Sequence, residues 1–205
     1  MTDLTPLVGE PLALDLVNTV VRHGDATVDL LATPGQLRSW LAAQADRLSD
    51  PPEHPATITP DDVALVQAVR EHVAVAVDAA RHGLAPPADA VAYLNDSQRR
   101  APAIRELRWQ AGVAQARVRR GGRPGEQLAA RLAEAAVDLL TDPRLATVRQ
   151  CAAETCVVLF LPAHPGRRWC SRNRCGNRAR VARYYHRHRA ARPGDAGAAP
   201  DERRR

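Results

Sequence analysis

Apolar residues recur at helical spacing through much of the first two-thirds of the chain. The clearest run is 61–82, where valines fall three or four residues apart, a Thr-Pro pair precedes the run and a glycine follows it. Such spacing buries one face of a helix, and threonine, proline and glycine are common at helix ends in these positions. The same pattern predicts three further helices, at residues 37–48, 87–100 and 124–140.

Residues 104–119 follow a different pattern, with a period of two. Leu107 and Trp109 alternate with polar residues, and a second alternating run follows Gly112. Alternation places side chains on opposite faces of a strand, so two such runs around a glycine turn predict a β-hairpin. The apolar segment 12–21 fits either a buried helix or a strand, because its length does not distinguish the two.

The four cysteines of the chain all lie within residues 151–175, as two pairs: Cys151 with Cys156, and Cys170 with Cys175. Cysteines at this spacing can turn onto one ion, and the connector between the pairs brings the second pair back to it. The pattern predicts a tetrahedral four-thiolate site, with these cysteines as the ligands of a Zn²⁺ ion.

Composition indicates the size of the core and the cellular compartment in which these cysteines lie. The chain has 205 residues, of which 45% are hydrophobic and only 3% aromatic, so alanine, valine and leucine must fill most of its core. The first ten residues carry two acids and no basic residue, and no apolar run reaches the ~20 residues that cross a bilayer. We therefore expect a cytoplasmic protein outside the membrane, and a reducing compartment favours metal ligation over disulfides.

Charge divides the chain into two parts. Residues 1–148 hold 15 Arg and 19 acidic residues, whereas residues 149–192 hold 11 Arg and a single acid, Glu154. All 29 basic residues are arginine. We attribute the absence of lysine partly to a coding bias in the genome, which weakens any argument that a particular arginine was selected for its geometry. A net charge of +10 on 149–192 favours a polyanionic partner, because arginines that neutralise phosphates release condensed counterions. A solvated basic surface without a partner is the plainer alternative.

The order of parts around the cysteines predicts a small treble-clef-like domain. Residues 157–161 are a strand candidate between the pairs, residues 162–166 a turn, and a helix follows Cys175. A treble-clef domain consists of a knuckle with two ligands, a hairpin, and a helix whose first turn carries the last ligand. Because such a domain has little core, the metal supplies most of its folding free energy. The predicted small core consists of Val158, Phe160, Trp169 and one of Tyr184 or Tyr185.

The helix after Cys175 has two distinct sides, because successive residues are rotated by about 100°. One side, which we expect to pack on the zinc hairpin, consists of Val181, Tyr184, Tyr185 and His188. The other side, free to contact phosphates, consists of Arg180, Arg183 and Arg187.

This helix and the residues before it are the candidate DNA-contacting surface. The start of an inserted helix commonly reads bases, and Arg to guanine or Asn to adenine are the bidentate matches that chemistry allows. The candidates are Arg168, Arg172, Arg174, Asn177, Arg178, Arg180, Arg183 and Arg187. Structural roles are an open alternative at three positions: Gly176 could permit a tight turn, Asn177 could cap the helix, and Arg178 could buttress a thiolate or carbonyl.

The first part of the chain offers weaker chemistry. Asp15 and Asn18, three residues apart, could line a polar pocket for a small-molecule effector together with Arg22 and Arg70. The alternative is that Asp15 and Asn18 satisfy backbone groups at the end of an element. No Ser-His-Asp order, Gly-rich phosphate loop or His-Glu metal motif is present, so we expect no enzymatic activity.

Two sets of motifs resemble a known family. The runs Arg-Trp-Cys-Ser at 168–171 and Cys-Gly-Asn-Arg at 175–178 are similar to the CGNR zinc finger of bacterial proteins regarded as stress-induced transcription regulators. The segment 12–19, followed by Asp-Leu-Leu at 29–31 and Trp-Leu at 40–41, resembles the N-terminal ABATE domain of that family. The resemblance covers nearly the whole chain. It implies a DNA-binding treble-clef finger joined to a domain suspected of sensing a ligand.

We therefore predict an α+β protein in three parts. They are a mainly helical N-terminal domain with a small β-hairpin (1–145), a treble-clef-like four-cysteine zinc finger (146–190) and a disordered tail (191–205). The predicted function is transcription regulation through double-stranded DNA, with Zn²⁺ as cofactor and an unknown small molecule as effector. A homodimer would double the short site that one finger covers. The alternative is a zinc-dependent RNA- or protein-interaction module without sequence-specific DNA binding.

Overall fold

The architecture is α+β, as the computed structural model of the chain shows for residues 8–23, 26–48 and 58–190. Within these ranges it contains six α-helices and three antiparallel two-stranded sheets. The helices are α1 (Leu12–Val17), α2 (Pro34–Ala43), α3 (Pro60–Arg81), α4 (Ala88–Arg100), α5 (Pro124–Thr141) and α6 (Asn177–Ala190). The strands are β1 (Val20–His23), β2 (Ala26–Asp29), β3 (Ala103–Gln110), β4 (Val113–Arg120), β5 (Arg149–Gln150) and β6 (Leu159–Phe160). The predicted tail, 191–205, lies outside the described residues.

The helix predicted at 61–82 is α3, and its start shows why the chain becomes helical there. The side chain of Thr59 accepts a hydrogen bond from the N–H of Asp62 (3.3 Å), and the Asp62 carboxylate accepts one from the N–H of Thr59 (2.8 Å). This reciprocal capping box satisfies two donors at the N-terminal end of the helix. The valines of its inward face are buried: Val63, Val66, Val69, Val73 and Val77.

Helices α3 and α5 form the centre of the core, with α1 and α4 packed against them. The buried leucines of α5 are Leu128, Leu132 and Leu139. At their N-terminal ends the two helices are in direct contact. A Cβ on Gly125 would lie 2.1 Å from the Oδ1 of Asp62 and 3.0 Å from its Cα. Only glycine fits at position 125 without displacing α3.

The hairpin predicted at 104–119 is β3–β4, two strands of eight residues each. Leu107 lies opposite Ala116 in the middle of the pairing. The turn between the strands has left-handed backbone angles at Ala111 (φ 50°) and Gly112 (φ 79°). Two-residue hairpin turns require this geometry, and glycine adopts it freely. The alternating pattern is thus confirmed for both strands and for the turn.

The segment 12–21 contains both elements that its pattern allows. Helix α1 ends at Val17, and strand β1 begins at Val20. The pairing of β1 with β2 is a second hairpin that the sequence pattern does not predict. Each of its strands is only four residues long, too short for a period of two to stand out from a helical run.

Helix α2 and the turn after it replace the single helix predicted at 37–48. It starts at Pro34, where the Thr33 hydroxyl accepts a hydrogen bond from the N–H of Gln36 (3.2 Å). It ends at Ala43, and a short 3₁₀ turn follows at Ala45–Arg47. The other two predicted helices agree with α4 and α5 to within about one residue at each end.

Strand pairing in the C-terminal part differs from the predicted hairpin. Strand β6 lies inside the predicted strand 157–161, but it pairs with β5, which precedes the first cysteine. The predicted hairpin, closed by a turn at 162–166, is therefore wrong. The observed hairpin encloses the first cysteine pair instead, because the loop between those two ligands folds back on itself.

Candidate metal centre and basic helix

Four sulfur atoms converge near the C-terminal end of the described chain. Cys151 follows β5, Cys156 precedes β6, Cys170 ends the loop after β6, and Cys175 lies in a single π-type turn, Arg172–Gly176, before α6. Their Sγ atoms all lie within 4.8 Å of one another. The structure therefore brings together the four cysteines that the sequence singles out.

The spacing of the sulfurs fits a tetrahedral metal ion. The Sγ of Cys170 lies 3.9 Å from that of Cys156 and 3.6 Å from that of Cys175. Four thiolates at about 2.3 Å from a Zn²⁺ ion are about 3.8 Å apart in a tetrahedron, whereas a disulfide needs about 2.05 Å. All four cysteines are free thiols, so donor type, number and spacing suit one ion.

Backbone hydrogen bonds shape the first half of this centre. The N–H of Cys151 donates to the carbonyl of Val158 (2.9 Å), which extends the β5–β6 pairing to the first ligand. The N–H of Cys156 donates to the carbonyl of Ala153 (2.9 Å) and closes the turn between the ligands. The N–H of Cys170 points at the sulfur of Cys151 (3.4 Å), a contact that favours the thiolate.

The π-type turn places the last ligand. The N–H of Gly176 donates to the carbonyl of Ser171 (3.0 Å), and the Ser171 hydroxyl accepts from the N–H of Arg174 (3.3 Å). Ser171 is therefore the cap at this end, and Asn177, whose backbone angles are already helical, is not. A Cβ on Gly176 would lie 3.5 Å from the Ser171 carbonyl oxygen, an ordinary contact. The turn does not require glycine there on steric grounds.

Because the sulfur atoms lie close together, the pKa values of Cys156, Cys170 and Cys175 differ from one another. A hydrogen bond with the Cys170 thiol lowers the pKa of Cys156 to about 5. The same contact raises the pKa of the Cys170 thiol above its usual value. Burial, with the charge of Cys156 next in importance, raises the pKa of Cys175 to about 11. The cluster therefore resists holding several thiolates at once unless a cation lies among them.

The small core around the cysteines consists largely of the predicted residues. Phe160 is fully buried and Val158 nearly so, and Trp169 packs against the cysteine cluster. These side chains surround the sulfurs on the side away from solvent. They are few, so the apolar core alone contributes little to the stability of this part of the chain.

The predicted packing of α6 on the zinc hairpin is wrong. Val181, Tyr184 and Tyr185 are each more than half exposed, and the side chain of His188 is not among those the structure describes. Helix α6 makes its main contacts with the turn at Arg172–Gly176. The hairpin is only two residues long on each strand, too short to reach along the later turns of α6.

The predicted DNA-contacting residues lie along α6 and just before it. Arg168 is exposed, with its guanidinium 5.6 Å from the centre of the Trp169 ring, and Arg174 is half-buried. Arg183 and Arg187 lie further along α6, and their side chains are not among those described. The remaining candidates are exposed around the start of the helix: Arg172, Asn177, Arg178 and Arg180.

Acidic residues are scarce near this basic surface. Glu154 is the one acid in residues 149–192, and it is exposed in the turn between the first two ligands. Within the described part of the chain, neither Arg178 nor Arg180 has an acidic partner. The start of α6 therefore presents uncompensated positive charge.

Arg167 supports the loop of the third cysteine, a role that the sequence analysis does not predict. Its guanidinium donates to the carbonyls of Cys170 (2.7 Å), Trp169 (3.2 Å) and Leu161 (3.3 Å), and lies 4.4 Å from the centre of the Phe160 ring. It therefore holds the loop that carries the third ligand. Nothing in the sequence distinguishes it from the other arginines nearby, because its contacts depend on the folded loop.

Two side chains of the N-terminal domain hold the finger in place. The Glu10 carboxylate accepts from Arg167 (2.6 Å) and from the N–H of Leu161 (2.9 Å). The Asn18 side chain donates to the carbonyl of Leu159 and accepts from its N–H, each at 2.8 Å. Leu159 also belongs to the main hydrophobic core. The finger is therefore docked on the N-terminal domain by hydrogen bonds as well as by apolar packing.

Asp15 is fully buried and acts within its own domain. Its carboxylate accepts from the N–H groups of Gly9 (2.9 Å) and Glu10 (3.1 Å), from Gln44 (3.2 Å), and pairs with Arg47 (2.9 Å). Burial raises its pKa, although these partners act in the opposite direction. Asp15 thus fixes the backbone of Gly9 and Glu10, directly before α1.

Arg70 and Arg22 do not join Asp15 in one pocket. Arg70 donates to both carboxylate oxygens of Asp29 (2.6 and 2.7 Å) and to the Thr19 hydroxyl (3.1 Å). Arg22 is exposed on β1. Asp15, Asn18 and Arg70 therefore hydrogen-bond within the protein at three separate places, and the predicted common ligand pocket is not observed among the described residues.

Two family models match this chain. Residues 10–143 match the ABATE model, whose description is "putative stress-induced transcription regulator", and residues 147–188 match the CGNR zinc finger. No curated protein matches the chain in a sequence search. In the part of the chain that the structure describes, no helix is both long enough and apolar enough to cross a membrane.

These matches confirm the resemblance carried by the motifs at 12–19, 168–171 and 175–178. The first match covers more than half of the chain, and the second contains all four clustered cysteines. The chain therefore belongs to the ABATE family, with a CGNR zinc finger after its ABATE domain.

Proposed function

We propose that this chain is a transcription regulator whose zinc-built finger presents α6 to double-stranded DNA. One observation carries the proposal: in residues 171–180, which contain the ligand Cys175 and the first turn of α6, every exposed side chain is a cation or an amide. They are Arg172, Asn173, Asn177, Arg178 and Arg180. The family description supports transcription regulation, and contact with DNA rests on this surface.

The metal that best suits the site is Zn²⁺, with the four cysteine thiolates as its ligands. A zinc ion with four protein ligands has no open coordination position, so it stabilises the fold and does not act on a substrate. Its binding would contribute on the order of 10 kcal/mol to the folding of a finger with so small a core. We therefore propose a binding protein rather than an enzyme.

The dimensions of α6 suit the major groove. Its 14 residues extend over about 21 Å, and the groove, about 12 Å wide, admits one helix. Asn177 and Arg178 lie in the first turn, where base contacts are made. Arg180, Arg183 and Arg187 share one side of the helix, from which they would contact phosphates.

Salt dependence of DNA binding tests this proposal. The triple variant Arg180→Gln, Arg183→Gln, Arg187→Gln should bind duplex DNA more weakly than the wild type. The slope of log affinity against log salt should fall by about 3, since each phosphate contact contributes about 0.9. Fluorescence anisotropy with DNA selected from a random pool measures both quantities.

A charge-matched control keeps the test specific. The variant Arg38→Gln, Arg99→Gln, Arg144→Gln removes three exposed arginines from the N-terminal part of the chain. It should bind DNA as the wild type does. Equal losses in both triple variants, or failure of the zinc-loaded wild type to bind duplex DNA, would refute the DNA-binding function.

Single-stranded RNA is a second candidate, favoured by Tyr184 and Tyr185. Both rings are exposed on α6, and aromatic side chains stack on unpaired bases. The two rings contact each other edge-on, with their centres 6.0 Å apart, and the small number of aromatic residues argues against such stacking. A competition experiment distinguishes the two candidates. If single-stranded RNA displaces bound duplex DNA at a lower concentration than unlabelled duplex DNA does, RNA is the favoured ligand.

We further propose that the ABATE domain acts on the finger through the junction at Glu10 and Asn18. A pocket of about 350 Å³ lies at the Glu10 side of this junction, lined by residues of both parts that include Gly9, Glu10, Arg167 and Ser171. An effector that moved Glu10 would release Arg167 and with it the loop of the third ligand. Glu10→Gln should therefore change DNA affinity without removing a single basic residue of α6.

A further inference from the structure

The β3–β4 hairpin extends beyond the helical body with an apolar face in solvent. Directly opposite residues share a face, and neighbours along a strand alternate between faces. One face therefore carries Leu107 opposite Ala116, and Trp109 opposite Ala114. Leu107 and Trp109 are 78% and 75% exposed, the highest values among the large apolar residues described.

The opposite face of the hairpin is mostly polar, with exposed Ile104 near its base and Val113 beside the turn. Its polar residues are Glu106, Arg108, Gln110, Gln115, Arg117 and Arg119. Glu106 lies 3.9 Å from the guanidinium of Arg119 and 4.0 Å from that of Arg108, so charges on this face compensate one another in part. The hairpin is thus amphipathic, yet its apolar face has no cover from the rest of the described chain.

An uncovered two-stranded hairpin is at best marginally stable in water. This one is tied to the helical body at its base, where the buried guanidinium of Arg120 pairs with Glu134 and donates to the carbonyl of Ala101 (3.0 Å). Beyond that anchor, seven residue pairs of regular sheet extend to the turn. Leucine and tryptophan side by side on such a surface mark an interaction site.

We propose that the apolar face of β3–β4 is a homodimer interface, on which the same face of a second copy stacks. A two-fold axis through the Leu107–Ala116 pair sets the two hairpins antiparallel. Arg105 of one copy, which shares this face, then lies against Trp109 of the other. A guanidinium over an indole ring is a favourable contact, which a parallel two-fold stack would lack, because it places Arg105 of one copy over Val118 of the other.

Charge supports a second copy as the occupant. Residues 103–120 carry five Arg and one acid, a net charge of +4, whereas the rest of residues 1–148 carries 10 Arg and 18 acids, a net charge of −8. In the antiparallel stack the tip of each hairpin reaches the helical body of the other copy. A basic hairpin on an acidic body is electrostatically complementary.

The area available indicates a dimer of modest affinity. Eight residues span about 26 Å, and two strands are about 10 Å wide, so the stacked hairpins alone would cover about 260 Å² on each copy. That is below the total of about 1,000 Å² expected of a specific interface, so contact of each hairpin tip with the other helical body must add to it. We expect dissociation in the micromolar range, about 1–50 µM.

Nucleic acid suits this face less well. Strands that read bases do so through hydrogen bonds and phosphate contacts. Of the two arginines on the apolar face, Arg120 is paired with Glu134, which leaves Arg105 for either kind of contact. The hydrophobic side chains would instead be buried by another apolar surface. This interface is independent of what the finger binds, so a chain that dimerises without binding DNA would still support it.

Sedimentation velocity of the zinc-loaded full chain, from about 1 to about 100 µM, tests the interface. The wild type should shift from monomer to dimer across this range. The variant Leu107→Ser, Trp109→Ser should dissociate at least about thirtyfold more readily, because both residues lie at the centre of the contact. Both side chains are exposed in the single chain, so the monomer should remain folded by circular dichroism.

The polar face of the same hairpin provides the matched control. Gln110→Ser with Gln115→Ser alters two residues on the opposite face and should leave dimerisation unchanged. A wild type that stays monomeric at every concentration would overturn the proposal. So would a Leu107–Trp109 variant that dimerises as well as the wild type, or one that loses DNA binding while both proteins are monomers.

A single added cysteine tests the register. Ala116→Cys lies next to the proposed two-fold axis and should give a covalent dimer with a short bis-maleimide cross-linker, because face-to-face sheets are about 10 Å apart, too far for a direct disulfide. Gln115→Cys, one residue away on the other face, should stay monomeric although it contains the same four finger cysteines. Equal cross-linking of the two variants would exclude the antiparallel stack.

Discussion

The side-chain amide of Asn18 hydrogen-bonds both the N–H and the carbonyl of Leu159, each at 2.8 Å. It occupies the place that a neighbouring strand would take beside β6. Both residues are buried, so water cannot replace these bonds. The end of α1 is thereby joined to the strand that leads away from the second metal ligand, Cys156.

Asn18→Ala should destabilise the docked finger by about 2–4 kcal/mol, because it leaves two buried backbone groups of Leu159 without partners. Urea unfolding followed by circular dichroism measures the loss. Asn173→Ala, at an exposed position in the finger, should change stability by less than about 0.5 kcal/mol. Comparable losses in the two variants would mean that Asn18 does not couple the two parts.

Metal removal should unfold the finger and leave the helical body folded. The four cysteine sulfurs, with the metal between them, join the β5–β6 hairpin, the loop after β6 and the turn before α6. These segments share only a small apolar core. Cys151→Ser should therefore expose the amides of residues 151–190 to hydrogen exchange, as a chelator should, while those of α3 and α5 stay protected. Thr155→Ser, an exposed change between the first two ligands, is the control.

Elemental analysis gives an independent check of the metal. We expect one zinc per chain in the wild type and a reduced zinc content in Cys151→Ser. Protein purified with reduced thiols and no zinc would contradict the assignment of the four cysteines as ligands, whatever the exchange pattern.

The Arg70–Asp29 pair predicts a pH dependence of stability. Burial acts to raise the pKa of Asp29, but hydrogen bonds and charge from Arg70 outweigh it and lower the pKa below 3.8. A carboxyl with a depressed folded pKa stabilises the fold above its unfolded pKa, and this contribution is lost as pH falls through the folded value. The wild type should therefore lose stability on acidification below about pH 4.

Asp29→Asn removes this titration and leaves the buried guanidinium of Arg70 without a counter-charge. It should cost about 2–3 kcal/mol at pH 7 and flatten the acid limb of the stability curve, measured by urea unfolding at several pH values. Asp96→Asn breaks an exposed pair with Arg99 and should cost less than about 0.5 kcal/mol. An unchanged acid limb in Asp29→Asn would contradict the role of this pair.

Gly125→Ala should destabilise the protein by about 1–3 kcal/mol. The added methyl group would meet Asp62, whose carboxylate also caps α3 through Thr59, so relief of the clash disturbs the cap. Gly121→Ala is the matched control, because a Cβ there meets nothing within 4 Å. Thermal unfolding of the two variants gives the comparison, and equal melting temperatures would show that the helices separate easily.

Features set by near neighbours in the chain were predictable from the sequence. Helix α3 follows from valine spacing and from the cap at Thr59, and the β3–β4 turn follows from alternation around Gly112. Each depends on interactions within a few residues, which a periodic pattern records. The four cysteines were predictable for a similar reason, since zinc ligands have characteristic spacings.

Contacts between distant parts of the chain could not be predicted in this way. Asn18 and Leu159 are 141 residues apart, and Glu10 and Leu161 are 151 apart. An asparagine or glutamate carries no local signal of such a partner. The tyrosines of α6 show the reverse case: helical spacing groups Tyr184 with Val181, but nothing in the pattern tells whether another element lies against that side.

Helix α6 leaves the finger after the turn at Arg172–Gly176, and that turn is its main neighbour among the described residues. If α6 contacts DNA as proposed, substitutions in its later turns should alter the sequence that it recognises with little penalty in folding. Related chains could then diverge in target while sharing one metal centre and one docking contact at Asn18. On that proposal, the segments that stabilise the fold differ from the segment that selects its target, and selection can act on them separately.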